Sequence, residues 1–260
     1  MIMERIKVFV ATHKEAALYG NSDCYQFIHV GSSNSSLIIE NAIRDDSCSD
    51  NISPKNNIYC ELTGVYHIWK NVKDIDYVGL CHYRRFLAKK AYSTDPNSVI
   101  FKKDELINKL KDYDILLPQK NIKKGRINGL FKNKEELKDY KPYILMKSAI
   151  EKLYPEYLPD FEQEFFIPKM SFGNIMICKK GLFDNYCKWL FDILYYVENE
   201  FLEIEKQVPP RELGYYSEWL LNVWVRHNKL KAMYLPMYMV QETNSYLYRI
   251  KMLCSFLGFK

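Results

Sequence analysis

The stretch DYVGLCHYRRF (76–86) decides the fold of this chain. Residues 76–81 form a short, mostly apolar run, which predicts a buried strand, and this strand opens directly into His82-Tyr83-Arg84-Arg85. Two guanidinium groups at the carboxyl end of a strand can bind a diphosphate through paired hydrogen bonds, with no obligatory metal. A solvated basic pair that caps the strand would account for the same residues.

Strands and helices alternate along the chain on both sides of this stretch. Runs of β-branched and aromatic residues predict further strands at 5–11, 26–30, 113–117, 173–178 and 231–235. Apolar residues at helical spacing predict helices at 55–71, 103–111, 142–154, 182–201 and 214–227. This alternation predicts an α/β fold in which helices flank a mixed, mainly parallel sheet.

Ligands bind such sheets beyond the carboxyl ends of the strands, and several polar segments follow predicted strands there. They are Thr12 and His13, the loop after Gly31, the HYRR segment and the loop after Leu117. A second polar cluster, 44–46 (RDD) with 50–53 (DNIS), carries amides and carboxylates that could hold a ribose and the edge of a uracil. Asx turns and helix capping explain that cluster more cheaply.

Composition indicates a globular chain: 48% of the 260 residues are hydrophobic and 27% are charged, which excludes wholesale disorder. The 37 Lys and Arg residues outnumber the 32 Asp and Glu residues by five, which favours an anionic ligand or a membrane surface over a nucleic-acid coat. The seven cysteines are odd in number and form no CxxC pair. Free thiols and a cytoplasmic location are therefore expected, and a zinc ribbon is excluded.

One acid stands out near the start of a predicted helix. Glu218 follows Ser217 in the helix 214–227. It would serve as a general base if it faces a cleft and has a raised pKa. A first-turn acid that interacts with the helix dipole is the alternative.

Two segments carry excess positive charge. A basic loop is predicted at 119–141, and an amphipathic helix at 245–260 that either packs on the core or makes shallow contact with a membrane. No apolar run approaches the roughly 20 residues that span a bilayer. Because the basic residues of the loop are confined to one segment and no stacking-sheet motif is present, a nucleic-acid partner is not expected.

Over nearly its whole length the chain resembles the bacterial exopolysaccharide and capsule-biosynthesis proteins that are grouped as a domain of unknown function. Those proteins are regarded as glycosyltransferases, some of them linked to galactofuranose or galactose transfer. The resemblance lies in the segments VFVATHK (8–14), IHVG (28–31), RDD (44–46), DNISPKN (50–56), YCELTGVYHIWKN (59–71), YVGLCHYRRF (77–86), YDILLP (113–118), FGNIMICKK (172–180), YCKWLFDIL (186–194) and RELGYYSEWLLNVW (211–224).

The resemblance implies a GT-A-like, nucleotide-sugar-dependent transferase and assigns roles to individual residues. The nucleoside would be held by Thr12, His13, Asp46, Asn51 and Asn56. The diphosphate would be held by His82, Arg84 and Arg85, of which Arg84 and Arg85 would also act in catalysis. Glu218 falls where such enzymes place a catalytic acid, and the acceptor would contact Asn174 and Arg211. The chain departs from the family pattern at Trp219, His67 and Ile175, and Trp219 replaces a cation expected beside Glu218.

No pattern in the sequence requires a metal cofactor. Asp112-Tyr113-Asp114 spells DxD, which binds a divalent cation in many glycosyltransferases, but here it precedes its strand instead of ending it. His13 and His82 lie far apart in sequence and lack a third ligand. A divalent cation such as Mn²⁺ or Mg²⁺ is compatible with the motifs without being required by them.

Together these inferences predict one GT-A-like domain over residues 1–260. Its expected activity is transfer of a hexose, with galactofuranose or galactose favoured, from a UDP-sugar to a lipid-linked glycan. That reaction would serve capsule, exopolysaccharide or O-antigen synthesis at the inner face of the bacterial plasma membrane. The alternative is a non-catalytic, nucleotide-sugar-binding partner in a polysaccharide assembly complex.

Overall fold

Apolar strands alternate with amphipathic helices, and the computed structural model describes them over residues 4–20, 23–122 and 133–240. The strands are β1 (Ile6–Thr12), β2 (Tyr25–His29), β3 (Ile43–Arg44), β4 (Tyr77–His82), β5 (Arg85–Leu87), β6 (Ile115–Pro118), β7 (Asn121–Ile122), β8 (Lys169–Met170), β9 (Met176–Lys179), β10 (Ala232–Leu235) and β11 (Met237–Met239). The helices are α1 (Asn56–Tyr59), α2 (Leu62–Asn71), α3 (Pro96–Val99), α4 (Lys103–Asp112), α5 (Lys141–Leu153), α6 (Leu158–Glu164), α7 (Lys180–Glu205) and α8 (Glu212–His227).

The main sheet has the strand order β10-β6-β9-β4-β1-β2-β3. Strand β9 runs antiparallel to both of its neighbours, whereas the other pairs along this path are parallel. Beyond the end of β4 the chain turns back as β5, which pairs with β11. The α/β fold with a mixed, mainly parallel sheet flanked by helices, predicted from the sequence, is confirmed.

Both faces of the sheet are covered, as the apolar character of its central strands requires. Along β1, Phe9 and Ala11 belong to the core formed with α2, α5, α7 and α8, whereas Val8 and Val10 belong to the opposite core formed with α4. Successive side chains of a strand point to opposite faces, so β1 is buried twice. This sandwich fixes the carboxyl ends of β1 and β4 beside each other.

Two predicted elements are corrected by the structure. The predicted helix 55–71 is broken at Cys60, whose φ of 52° ends α1, and α2 starts two residues later. The side-chain amide of Asn56 donates to the Cys60 carbonyl (2.6 Å), which stabilises the break. The predicted strand 173–178 starts only at Met176, because Gly173 and Asn174 adopt φ values of 89° and 52° and form a turn.

The basic loop and the tail are only partly within the described residues. Of the segment 119–141, the structure gives β7, which pairs with β8, a short 3₁₀ turn at Lys134–Leu137 and the start of α5. The predicted helix 245–260 lies outside the described residues. No helix in the described ranges combines the length and apolar character that crossing a bilayer demands.

Candidate functional site

An open cleft of about 580 Å³ lies at the carboxyl edge of the sheet, where β1 and β4 end. It also receives residues from the α1–α2 junction and from the first turns of α8. Of the eleven residues that the sequence predicted for the site, eight line this cleft: Thr12, His13, Asn56, His82, Arg84, Arg85, Arg211 and Glu218. The fold therefore brings together groups that are more than 200 positions apart in sequence, as Thr12 and Glu218 are.

The cationic wall of the cleft is a tight hairpin between β4 and β5. His82 and Arg85 pair across it, and Tyr83 and Arg84 form its turn. The turn is held by backbone hydrogen bonds from Tyr83 to Ala11 (3.0 Å) and from Val240 to Arg84 (2.9 Å). Arg84 and Arg85 are both exposed and both line the cleft. A hairpin fixed in this way presents two guanidinium groups to an anionic ligand.

The α8 side of the cleft carries a carboxyl group with a raised pKa. Glu218 lies in α8 and is half-buried. Burial raises the pKa of Glu218 to about 7, and the negative charge of Glu61 contributes to that rise. The backbone of Gly173 and the guanidinium groups of Arg85 and Arg211 oppose it. A carboxyl group with this pKa exchanges its proton near neutral pH, which suits a general base.

Glu61 is a second acid of the cleft, which the sequence reasoning missed. It lies at the start of α2, and its Oε1 accepts a hydrogen bond from Asn174 Nδ2 (2.8 Å). The same oxygen is 3.8 Å from Nε2 of His82. Glu61 stands in the segment YCELTG, but an acid at a helix start is common because it interacts favourably with the helix dipole. Its contacts with residues 21 and 113 positions away could not be foreseen from spacing.

Asn174 lies behind the cleft wall rather than in its lining. Its Nδ2 donates to Glu61 and to the Gly214 carbonyl (3.2 Å), and its buried Oδ1 has no hydrogen-bond partner. The prediction that Asn174 lies in a strand was wrong, since it occupies a left-handed turn before β9. The structure therefore shows Asn174 orienting Glu61, and contact with an acceptor stays a prediction.

Strained backbone is concentrated at this cleft. Six non-glycine residues in the described ranges have positive φ, and three of them border the cleft: Cys60, Asn174 and Arg211. Arg211 (φ 66°) precedes α8, and its backbone N–H donates to the Asn57 carbonyl (2.7 Å). Each such conformation costs on the order of 1–3 kcal/mol, so strain here accompanies a functional arrangement of side chains.

The structure does not bring Asp46 and Asn51 into the cleft lining. The Asp46 carboxylate accepts two hydrogen bonds from Arg44 (2.9 and 2.8 Å), which lower the pKa of Asp46. Asn51 forms an Asx turn, accepting from the Ser53 N–H (3.1 Å) and donating to the Cys48 carbonyl. Both side chains therefore stabilise the loop beside the cleft, and their contact with a nucleoside stays a prediction.

The adjacent Asp45 fixes that loop from inside. It is fully buried and accepts hydrogen bonds from the N–H of Gly31 and from both the N–H and the hydroxyl of Ser32. A fourth comes from the Ser53 hydroxyl (2.6 Å). Gly31 needs its left-handed φ of 67° here, and a Cβ at that position would collide with the side chain of Asn56. Asn56 is thereby placed in the cleft wall.

The DxD sequence lies at the opposite edge of the sheet. Asp112 ends α4, and Asp114 precedes β6, where its carboxylate accepts a hydrogen bond from the Lys231 N–H (2.8 Å). Because β6 runs parallel to β4, the amino end of β6 points away from the cleft. In the described part of the chain, no three His, Cys, Asp or Glu side chains form a group that could hold a metal ion.

Trp219 is one of the positions where the chain departs from the family pattern, and its consequence differs from the predicted one. Its ring is buried and stacks on Phe165 with 4.2 Å between centroids. Position 219 faces the core, whereas Glu218 faces the cleft, because successive helical residues point about 100° apart. Trp219 therefore strengthens packing between α6 and α8, and the predicted loss of a cation beside Glu218 is not what the structure shows.

Comparisons with known proteins bear on this site. A family described as "Domain of unknown function (DUF4422)" matches residues 7–229. Among solved structures, the apo structure of the WbbM bifunctional glycosyltransferase is similar, with a TM-score of 0.78 and 27% sequence identity. The similarity covers 92% of this chain and 46% of that chain, so this chain spans about half the length of that relative. No curated protein matches this chain.

Proposed function

We propose that this chain, which belongs to the family described as "Domain of unknown function (DUF4422)", is a glycosyltransferase in polysaccharide synthesis. Similarity to the WbbM bifunctional glycosyltransferase over 92% of the chain supports glycosyl transfer as the reaction class. The single observation that carries the proposal is the arrangement of Arg84, Arg85 and Glu218 in one cleft.

The proposed reaction is a single displacement at the anomeric carbon of a nucleotide sugar. The acceptor hydroxyl oxygen forms the new bond to that carbon as the bond to the distal phosphate oxygen breaks. Glu218 takes the hydroxyl proton, and the nucleoside diphosphate leaves with the bonding electrons. Arg84 and Arg85 stabilise the charge that develops on the leaving group, which is the step where fixed cations lower the barrier most.

The nucleoside is proposed to lie against Thr12, His13 and Asn56 at the end of β1. These residues line the cleft together with the hairpin cations, so one extended ligand can contact both groups. His13 packs edge-on against Tyr83, with ring centroids 5.5 Å apart, which fixes its ring near Arg84. Asp46 and Asn51 act in this proposal through the loop that places Asn56.

The finer substrate assignment follows the sequence resemblance. We propose a UDP-linked hexose as donor, with galactofuranose or galactose favoured, and a lipid-linked glycan as acceptor. The cytoplasmic face of the plasma membrane is the proposed place of the reaction. The net charge of +5 is compatible with an anionic donor and an anionic membrane surface.

The test is thermal unfolding with UDP, GDP, CDP and dTDP, each in the presence of Mn²⁺ or of EDTA. A ligand that binds only the folded state stabilises it by RT ln(1 + [L]/Kd), about 2.7 kcal/mol at 100 times Kd, and no acceptor need be known. We expect UDP alone to raise the melting temperature. Arg84→Ala and Arg85→Ala should each remove most of that rise.

Arg5→Ala is the matched control, because Arg5 is exposed at the amino end of β1, away from the cleft. Its UDP response should equal that of the unmodified chain. Persistence of the rise in EDTA would show that the cations suffice, whereas dependence on Mn²⁺ would add a metal to the site. An unmodified chain that responds to no nucleotide, and transfers no hexose from UDP-sugars, would refute the proposed function.

A further inference from the structure

An aromatic side chain lies in the cleft wall without a role in the reaction as proposed. Tyr215 is 41% exposed and lines the cleft together with Arg211 and Glu218. The other large hydrophobic side chains exposed in the described ranges, such as Tyr92 and Ile38, lie outside this cleft. An aromatic ring exposed to water in a cleft is unfavourable, and a ligand that covers the ring gains binding free energy from its burial.

The position of Tyr215 on α8 decides which ligand it would meet. Residues three or four apart in a helix lie on one face, so Arg211, Tyr215 and Glu218 form one row along the cleft. A general base must come within about 3 Å of the hydroxyl that it deprotonates. The sugar that carries this hydroxyl therefore lies beside Glu218, next to the ring of Tyr215.

The row is held firmly by the neighbouring elements. The backbone N–H of Arg211 donates to the Asn57 carbonyl (2.7 Å), and the Gly214 carbonyl accepts from Asn174 and from the Ser217 hydroxyl. Gly214 also packs closely against Cys60, so that a Cβ at 214 would lie 3.2 Å from the Cys60 sulfur. The first turns of α8 thus present a preorganised surface.

The chemistry of the row matches a sugar ring. The Arg211 guanidinium lies over the Tyr215 ring, 5.3 Å from its centroid, and this contact orients the ring. The guanidinium donors can also bind hydroxyl oxygens of a ligand. An aromatic face covers the apolar C–H face of a sugar, while the polar groups beside it satisfy the hydroxyls.

We propose that Tyr215, oriented by Arg211, is the stacking platform for the acceptor sugar. This inference rests on the proposed function, since Glu218 as base places the acceptor. A uracil ring is the competing occupant of an exposed tyrosine. The location of Thr12, His13 and the hairpin cations on the strand side of the cleft favours the nucleotide there and the acceptor on the α8 side.

The experiment compares Tyr215→Ala with Tyr215→Phe, and uses Tyr92→Ala as the control for loss of an exposed tyrosine outside the cleft. The acceptor probes are octyl glycosides of galactopyranose, galactofuranose, glucose and mannose. Their binding to the UDP-loaded chain is followed by saturation-transfer NMR, and KM and kcat are measured for any that accept a hexose. Kd for UDP and the rate of donor hydrolysis in water report on the donor side.

We expect Tyr215→Ala to raise the acceptor KM or Kd about tenfold, equivalent to about 1.4 kcal/mol, with kcat, UDP affinity and donor hydrolysis within twofold. Tyr215→Phe and Tyr92→Ala should behave like the unmodified chain, because stacking needs only the ring. Weaker UDP binding by Tyr215→Ala would instead identify a nucleobase platform and overturn the proposal.

Two further outcomes separate this inference from the proposed function. If the unmodified chain binds UDP but Tyr215→Ala leaves acceptor affinity unchanged, or no octyl glycoside binds the UDP-loaded chain, the platform is wrong and the transferase proposal stands. If the unmodified chain neither binds UDP nor hydrolyses any UDP-hexose, the proposed function is wrong, and the assignment of Tyr215 to an acceptor is lost with it.

Discussion

Two carboxyl groups, one buried in the loop beside the cleft and one in the cleft lining, show how differently the same chemical group can be used. Asp45 is completely buried, and four hydrogen-bond donors from Gly31, Ser32 and Ser53 surround it. Glu218 is only half-buried, yet desolvation and the charge of Glu61 raise its pKa to about 7. Burial and a neighbouring negative charge disfavour the charged form of a carboxyl group, whereas hydrogen-bond donors favour it.

The contrast distinguishes a residue that stabilises the structure around the site, Asp45, from one proposed to act in the reaction, Glu218. Asp45 stabilises the loop that positions Asn56, and both of its carboxylate oxygens accept hydrogen bonds. Glu218 faces an open cleft where compensation is incomplete, which leaves it ready to accept a proton from a ligand. A carboxyl group whose pKa is raised to about 7, in a cleft that also holds arginine side chains, is typical of a functional site.

The largest expected effect is on Glu218, the carboxyl group proposed to act in the reaction. Glu218→Gln keeps the shape of the side chain but cannot accept a proton, so hexose transfer should fall by about 10²–10⁴-fold. UDP-induced stabilisation should persist, because the variant retains Arg84 and Arg85. The measurement is the initial rate of transfer from a UDP-hexose, with the fold checked by circular dichroism.

Glu212→Gln serves as the matched control on the same helix. Glu212 accepts a hydrogen bond from Tyr216 (2.8 Å) and does not line the cleft. Its replacement should leave transfer within twofold of normal. Normal transfer by a folded Glu218→Gln chain would exclude Glu218 as the base.

The next largest effect is on Asp45, the carboxylate that stabilises the loop. In Asp45→Asn an amide NH₂ replaces one of the oxygens that face the donors of Gly31, Ser32 and Ser53, so at least one buried donor loses its acceptor. We expect a loss of about 3 kcal/mol in the free energy of unfolding, measured by urea denaturation.

Asp46→Asn is the control for this change at the next position. Asp46 pairs with a partly exposed Arg44, and such pairs contribute about 0–1 kcal/mol. The two neighbouring substitutions should therefore differ by about 2 kcal/mol or more. Equal losses would mean that the hydrogen bonds of Asp45 contribute no more than a surface ion pair.

The sequence predicts the parts of this site that depend on local pattern. The apolar run before His82 is a buried strand, and the carboxyl ends of β1 and β4 meet, as the rule for parallel strands requires. Glu218 is correctly placed on a helix because the apolar residues around it repeat at helical spacing. Each of these inferences uses either the residue pattern within one element or the general rule for parallel strands.

What the sequence does not predict depends on contacts between distant segments. The break at Cys60 interrupts a continuous helical period, and the capping amide of Asn56 and close packing against Gly214 stabilise it. Glu61 takes its orientation from Asn174, 113 positions away. Asp45 and Asp46 are adjacent acids, and the tertiary positions of Gly31, Ser32 and Ser53 make Asp45 the buried one.

The smallest expected effect is the contribution of Glu218 to the pH dependence of stability, which distinguishes it further from Asp45. The folded chain holds the Glu218 proton up to about pH 7, whereas the unfolded chain loses it near the ordinary value of 4.5. Between these values the folded state binds more protons, so this group makes stability fall as pH rises. Glu218→Gln should remove that cost and stabilise the chain by on the order of 1–3 kcal/mol at pH 8, with no gain at pH 4.

The measurement is the difference in unfolding free energy between Glu218→Gln and the unmodified chain at pH 4, 6 and 8. Glu61→Gln should reproduce part of the pH-dependent gain, because it removes a negative charge that raises the pKa of Glu218. Asp45→Asn should destabilise at pH 6 and pH 8 alike, since at least one of the buried donors of Gly31, Ser32 and Ser53 loses its acceptor at either pH. A Glu218→Gln chain that is less stable than normal at pH 8 would show that Glu218, like Asp45, is a structural carboxylate.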